Sequence, residues 1–375
     1  MRILIVSDCY APRLGGIETQ VRDLARNLLD AGHEPAVVTA TPDGPARGRS
    51  VESPDGFPVF RTTVPLPAEL PVHPRGGREI GAVMERWRPD VVHVQVGIVS
   101  PFAWSGIAAA RSRGLPLAIT FHCVLGSWAR AGAALGPLSP VRRWQRHADL
   151  TAVSSMLARE VEHAGAGRGV GLLPNGITLE HWHLERPAGQ EGPRPLRVVA
   201  SLRLIERKRP LEVVRVFAAA VERSGADAVL EMYGDGPMRE RVAREVAASP
   251  VADRIGLAGR VERSELAQAF TRADIYLQAN PMESFGISVL EARTAGLAVV
   301  APRLSGVSDF ITDGVDGLLA DDDAGLTRAL TRLLTEPELL ARIKEHNDTV
   351  PPGPQWDHVV GRAVEAYRRA IAHRR

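Results

Sequence analysis

The chain has 375 residues, 45% of them hydrophobic and 24% charged, with a net charge of +2. That length exceeds what one hydrophobic core usually serves and favours two domains. The composition excludes a disordered chain, and no apolar run reaches membrane-spanning length. The small, scattered positive charge argues against a nucleic-acid binder.

The chain opens with one Arg, a short apolar run from Ile3 to Val6, and then Asp8. This reads as a first strand and not as a secretory leader, and predicts a cytoplasmic protein. Cys9 and Cys123 have neither metal nor redox spacing and are expected as free thiols. Further strands are predicted at Ala36 to Thr39, Val91 to Val94, Leu117 to Phe121 and Leu150 to Val153, a parallel-sheet rhythm with crossover helices. Between the first two, Val21, Leu24, Ala25 and Leu28 mark one buried helix face, and Gly32 stops that helix.

A second series runs through Leu196 to Ser201, Val229 to Tyr233, Ile255 to Leu257, Ile275 to Leu277 and Leu297 to Ala301, with Gly317 to Ala320 as a short strand. The expected organisation is a first Rossmann-like domain over residues 1–185, a Pro-, Gly- and charge-rich linker over 186–195, and a second Rossmann-like domain over 196–350. After the Pro351 to Pro354 break, residues 355–375 form an amphipathic helix expected to pack on the first domain. Two such α/β domains suggest a nucleotide-binding cleft between them.

The first strand leaves through Pro12, Gly15 and Gly16, which reads either as a tight turn or as a phosphate loop with close backbone approach. His122 ends the Leu117 to Phe121 strand. A histidine there either serves as a structural hydrogen-bonding group or donates to a sugar hydroxyl or developing charge. In the second series, Arg203 and Lys208 lie just past a strand's carboxyl end, either as a solvated basic loop or as a diphosphate clamp. Glu206, Arg207 and Arg209 are left on the surface. Gly234-Asp235-Gly236-Pro237 and Gly259-Arg260-Val261 read as turns at the ligand edge, either purely structural or making backbone contacts with a base. Asp321-Asp322-Asp323 reads as a solvated loop before the next helix, and no carboxylate pair supports an obligatory metal.

The most informative run is Asn280 to Ala292, which follows the apolar strand Ile275 to Leu277 and places Glu283 and Glu291 around Ser284-Phe285-Gly286-Ile287. Backbone N–H groups at a helix start attract phosphate. On one continuous helix the two acids would point about 80° apart. If Gly286 marks the helix start, Glu283 lies on the turn and Glu291 about 7.5 Å further along the axis, facing hydroxyl groups at opposite ends of an extended ligand.

Together, the turn from Pro12 to Glu18, Thr120-Phe121-His122, Pro174-Asn175-Gly176-Ile177, Arg203 with Lys208, and the E-x7-E spacing of Glu283 and Glu291 resemble the family 4 glycosyltransferases over nearly the whole chain. The resemblance implies the GT-B fold and retaining transfer from a nucleotide-sugar donor. It places Gly15 and Gly16 near the donor diphosphate, which Arg203 and Lys208 neutralise in place of a metal ion. Glu291 then holds the ribose, while Glu283 contacts the transferred sugar and Phe285, Gly286 and Ile287 offer N–H groups beside Ser284. Gly234, Arg260 and Val261 line the base, and His122 touches the sugar near the reacting carbon. The family often has Gly-Arg-Leu where this chain has Ser201 to Leu204, and Lys-Gly where it has Lys208-Arg209.

The stretches from Leu14 to Glu18 and from Phe121 to Gly126 resemble enzymes that move N-acetylglucosamine from its UDP form to inositol lipids. UDP-N-acetylglucosamine is therefore the first expected donor, with UDP-glucose and GDP-mannose next. The acceptor is expected to be a hydroxyl of a small molecule, natural product or lipid-linked sugar. Two competing readings are a sugar-nucleotide epimerase on the same scaffold and a non-catalytic sugar-nucleotide binder. Arg142, Arg143, Arg146 and His147 beside Trp144 suggest either a solvated helix or a peripheral membrane contact.

Overall fold

The computed structural model describes all residues except 14, 45–46, 66–71, 186–193 and 374–375. Two compact units make up the chain, Met1–Gly176 with Trp356–Arg375 and Ile177–Gln355. The chain thus passes into the second unit at Ile177, earlier than the expected 185. Residues 186–193 of the expected linker lie outside the described residues. Arg194 belongs to the second unit, where its guanidinium holds Asp274 through hydrogen bonds of 2.8 and 2.9 Å.

The first unit is built on β1 (Arg2–Ser7), β2 (Glu34–Thr39), β3 (Gly48–Glu52), β4 (Val59–Thr63), β5 (Val91–Val96), β6 (Leu117–Phe121), β7 (Asp149–Ala152) and β8 (Gly171–Leu172), in the order β3-β4-β2-β1-β5-β6-β7-β8. Its central strands are buried on both faces, as helices on either side of a parallel sheet require. The helix Gly16–Asp30 buries Val21, Leu24, Ala25 and Leu28. The helix Trp356–Ala372 adds Val359, Val360, Ala363, Val364 and Tyr367 to the same core.

The sheet is not parallel throughout, because β3 runs antiparallel to β4. Neither strand announces itself as an apolar run. In β4 the buried Arg61 donates to Glu52 at 2.6 Å and to the Thr41 carbonyl at 2.9 Å, so a charge occupies what would otherwise be a hydrophobic position.

The second unit holds β9 (Leu196–Ser201), β10 (Ala228–Tyr233), β11 (Ile255–Gly259), β12 (Ile275–Leu277), β13 (Ala298–Pro302) and β14 (Gly317–Ala320), all parallel, in the order β11-β10-β9-β12-β13-β14. This is the Rossmann order. Its topological switch point lies between β9 and β12, where loops part in opposite directions and leave a crevice at the strands' carboxyl ends. The loop after β9 contains Arg203 and Lys208, and the loop after β12 contains Asn280 to Gly286.

Candidate functional site at the switch point of the second unit

Strand β12 ends at Leu277, and the chain then turns through Asn280 and Glu283 into the helix Ile287–Thr294. Gly286 caps that helix with φ of 95°, a conformation that side chains rarely adopt. A Cβ there would also sit 2.7 Å from Val307 Cγ2. The sequence therefore needs glycine where the helix begins, and the first helical N–H groups have no acceptor within the helix. Phe285 is buried and packs on Phe310 with ring centroids 5.1 Å apart, which anchors the turn from beneath. Ser284 and Ile287 remain partly exposed.

Glu283 is held from two sides. The Lys208 ammonium donates to its Oε2, and Asn280 Nδ2 donates to the same oxygen at 3.2 Å. The Lys208 and Glu283 side chains are only 22% and 13% exposed, so the pair is partly shielded from screening by salt. The loops after β9 and β12 thus meet through these two side chains. Arg203 is exposed, and its side chain makes no hydrogen bond or ion pair among the described residues. Beneath them, Tyr276 of β12 donates to the Ser201 carbonyl at 3.0 Å and pins the end of β9. Burial pushes the Tyr276 phenol well above its ordinary range, so it remains a neutral donor.

Glu291 is a buried residue of the helix Ile287–Thr294 and accepts from Arg263 Nη2 at 3.1 Å. The Arg263 guanidinium in turn lies 5.2 Å from the Trp182 ring centroid. The two acids of the E-x7-E run therefore occupy separate surroundings, one on the turn and one on the helix.

Gly234, at φ of 129°, lies so close to the loop after β9 that a Cβ would meet the Leu202 carbonyl at 1.9 Å. Its N–H donates to the Gly259 carbonyl at 2.7 Å, which joins the loops after β10 and β11. Arg260 is exposed and Val261 partly buried on the second of these loops.

One reading of this region needs correction. Arg209 is not a plain surface residue, since its guanidinium donates to the Ala279 carbonyl at 2.9 Å and to both oxygens of Asp323 at 2.9 and 2.7 Å. Asp321 and Asp322 are exposed ahead of the helix Asp323–Thr335, as expected, and Asp322 caps that helix by accepting from Gly325 N–H at 2.6 Å. Among the described residues no group of three or more His, Cys, Asp or Glu is placed to hold a metal ion.

In the first unit, Gly15 precedes the helix Gly16–Asp30 and presses against Glu18, whose Oε2 lies 2.3 Å from where a Cβ would stand. The Glu18 carboxylate thus folds over Gly15, and Gly16 is the exposed first residue of the helix. His122 follows β6, is buried, and has its Nε2 2.5 Å from Gln95 Oε1. Burial holds its pKa down at about 4, so at neutral pH it is an uncharged imidazole. A cavity of about 20 Å³ beside it, lined by Gln20, Thr120 and Asn175, has room for one water but not for a sugar. Trp144 packs on Phe121 with centroids 6.4 Å apart, so this aromatic is not presented to a membrane.

Sequence reasoning passed over Arg263, Trp182, Gln95 and His93 as site residues. Only the last two left a local signal: they alternate on β5, Val-Val-His-Val-Gln-Val, which places both on one face of the strand.

Two parallel α/β units, with a carboxylate–ammonium pair ahead of a helix start at a Rossmann switch point, define a GT-B glycosyltransferase with a nucleotide-sugar site. The chain belongs to glycosyltransferase family 4. Residues 14–181 match the family model described as Glycosyltransferase Family 4, and residues 185–349 match that of Glycosyl transferases group 1.

Among its relatives, the 2-deoxystreptamine N-acetyl-D-glucosaminyltransferase of Streptomyces fradiae is 30% identical, with 96% of this chain and 91% of that protein covered. The GDP-mannose-dependent alpha-mannosyltransferase of Mycolicibacterium smegmatis is 28% identical over 90% of this chain and 89% of its own. The structure of Anabaena HepE in complex with UDP superposes with a TM-score of 0.76 at 17% identity, covering 98% of this chain and all (100%) of that one. Sucrose-phosphate synthase of Thermosynechococcus elongatus gives 0.75 at 18% identity, with 99% of each chain covered. This membership decides for a transferase that uses a nucleotide-sugar donor, and against an epimerase or a silent binder.

Proposed function

We propose that this enzyme transfers N-acetylglucosamine from its UDP form to an acceptor hydroxyl, with retention at the anomeric carbon. The observation that supports the site assignment is the Lys208–Glu283 pair, set at the helix start between β9 and β12. As the glycosidic bond breaks, negative charge builds on the departing diphosphate. Arg203, Lys208 and the N–H groups from Ser284 to Ile287 then stabilise the transition state more than the bound donor. In this reading the two cations take the charge-neutralising role and no metal ion is obligatory. Glu283 receives hydroxyls of the transferred sugar and Glu291 those of the ribose. Gly234, Arg260 and Val261 contact the base, Gly15 and Gly16 the diphosphate, and His122 the sugar.

The N-acetylglucosaminyltransferase name of the Streptomyces fradiae relative supports this donor, and a small aminocyclitol or a related polyol becomes the first acceptor class to test. GDP-mannose is the second donor, because the Mycolicibacterium smegmatis relative is named for it. Thermal shift with a panel of UDP- and GDP-sugars separates them, since a bound donor stabilises the fold by mass action. The largest shift is expected with UDP-N-acetylglucosamine, and a larger one with GDP-mannose reverses the donor assignment. The anomeric proton coupling of the product tests retention, and full activity in EDTA tests metal independence.

A peripheral membrane contact is proposed for one face of the first unit. On the helix Ser127–Ala134 and its continuation, Trp128 and Leu135 lie within about 20° of each other around the axis. They are 61% and 49% exposed, and Leu138 is 74% exposed. No Asp or Glu occurs between His122 and Ala148. The exposed Arg130, Arg142, Arg143 and Arg146 side chains have no partner among the described residues. Apolar side chains beside unpaired cations complement an anionic lipid surface, at about 1 kcal/mol per basic residue. Flotation with phosphatidylcholine vesicles, with and without phosphatidylglycerol, tests this. Binding only to the anionic vesicles, lost in Trp128→Ser with Leu138→Ser, is expected, and no flotation overturns it.

A further inference from the structure

Behind His122 lies a buried polar chain that fixes how its ring presents itself. Gln95 Oε1 stands 2.5 Å from His122 Nε2. An amide oxygen only accepts, so His122 Nε2 must hold the proton. On its other side, Gln95 Nε2 lies 3.2 and 3.1 Å from the two ring nitrogens of His93.

His93 is itself fully assigned. Thr151 donates to the Ile119 carbonyl at 3.3 Å, so Thr120, 2.7 Å away, donates to Thr151. His93 Nε2–H then donates to Thr120 at 2.7 Å, and the Tyr367 hydroxyl donates to His93 Nδ1 at 2.9 Å. Burial keeps both imidazoles neutral, His122 at about 4 and His93 at about 3. His122 Nδ1 has no partner among the described residues and is not sealed from solvent.

We propose that Gln95 is a positioning residue that fixes His122 as the neutral Nε2–H tautomer, so that His122 meets substrate as a hydrogen-bond acceptor through Nδ1. This rests on the reading that His122 faces the transferred sugar. The substrate group docked there must then bring a proton of its own, a hydroxyl or amide N–H of the sugar and not a phosphate oxygen. The arrangement suits the chemistry, because positive charge develops on a sugar as its glycosidic bond breaks. A neutral lone pair tolerates that charge, whereas an imidazolium would oppose it. No proton moves in this step.

Two-bond 1H–15N correlation spectra of the full chain labelled in histidine test the tautomer without any activity. At pH 7 a protonated Nε2 and a bare Nδ1 are expected for His122, and the reverse pattern or an imidazolium overturns the proposal. In Gln95→Glu a carboxylate faces His122 Nε2, so the acid limb of kcat/KM should move up by at least one pH unit. In Gln95→Met, which cannot accept this hydrogen bond, kcat should fall about tenfold or more. A packing role alone would lower Tm in both variants and leave the limb where it was, which also overturns the proposal. If His122→Ala transfers sugar normally, the reading of His122 in the reaction fails, while the tautomer result stands or falls by its own spectrum.

Discussion

Lys208 on the loop after β9 and Glu283 on the loop after β12 are 75 positions apart in sequence and share a hydrogen-bonded ion pair. Each orients the other, and Asn280 holds the same Glu283 oxygen. Glu283→Gln keeps the shape but removes the charge that holds Lys208 in place. Loss of one oriented group at a developing charge typically costs about 10²–10³ in rate. Transfer by Glu283→Gln is expected to fall in that range, with Tm little changed. A variant that transfers at the normal rate would show that Glu283 is not part of the site.

Arg203 differs from Lys208 in having no protein partner for its side chain among the described residues. An unpaired guanidinium on this exposed loop is free to meet an anion without first breaking a bond. Arg203→Ala should weaken binding of UDP about tenfold or more, with the loss shrinking as salt rises. Calorimetric titration of UDP at two ionic strengths checks both parts. Equal affinities for variant and parent would place Arg203 outside the diphosphate site.

How far the sequence reveals this arrangement depends on the range of each interaction. Parallel strands such as β1 and β5 are buried on both faces and read directly as Val- and Ile-rich runs. The E-x7-E spacing is legible for the same local reason. By contrast, the partner of Glu291 is Arg263, 28 positions away at the start of the helix Arg263–Thr271, and no local pattern links them. Arg209 shows a subtler limit. It occupies φ of 53°, where the resembling sequences often have glycine. That conformation costs a non-glycine residue roughly 1 kcal/mol or more. Here the cost is offset by hydrogen bonds to Ala279 and Asp323, which only the folded chain brings within reach.

Gly286 offers a test of the helix start itself. Its φ of 95° and the 2.7 Å approach of Val307 to a Cβ make Gly286→Ala strained in two independent ways. Relief requires the turn from Glu283 to Ile287 to move, which would shift the N–H groups proposed to hold the diphosphate. The variant should lose about 1–3 kcal/mol of stability, seen in urea unfolding, and should lose UDP affinity together with it. Loss of stability alone, with UDP binding intact, would separate this turn from phosphate recognition.

Asp8, just past β1, links the first unit to pH. It is buried, with Oδ1 accepting from Phe102 N–H at 3.0 Å, while Oδ2 has no hydrogen-bond partner. Burial pushes its carboxyl up to about 6, against the backbone and Ser100 hydrogen bonds that favour ionisation. An aspartate in the unfolded chain titrates near about 3.9. Between these values the folded state keeps a proton that the unfolded chain has lost. The stability Asp8 contributes is therefore full below about 3.9 and declines as pH rises through 6. His93 and His122 act in the opposite sense. Their folded values are depressed, so stability falls as pH drops below the ordinary histidine value of about 6.5. Asp8→Asn removes the carboxylate's contribution and leaves that of the histidines. It should stabilise the protein by about 1–3 kcal/mol at pH 8, and this gain should vanish towards pH 4. Urea unfolding at pH 4, 6 and 8 measures it, and a gain that is constant with pH would mean that ionisation of Asp8 is not its source.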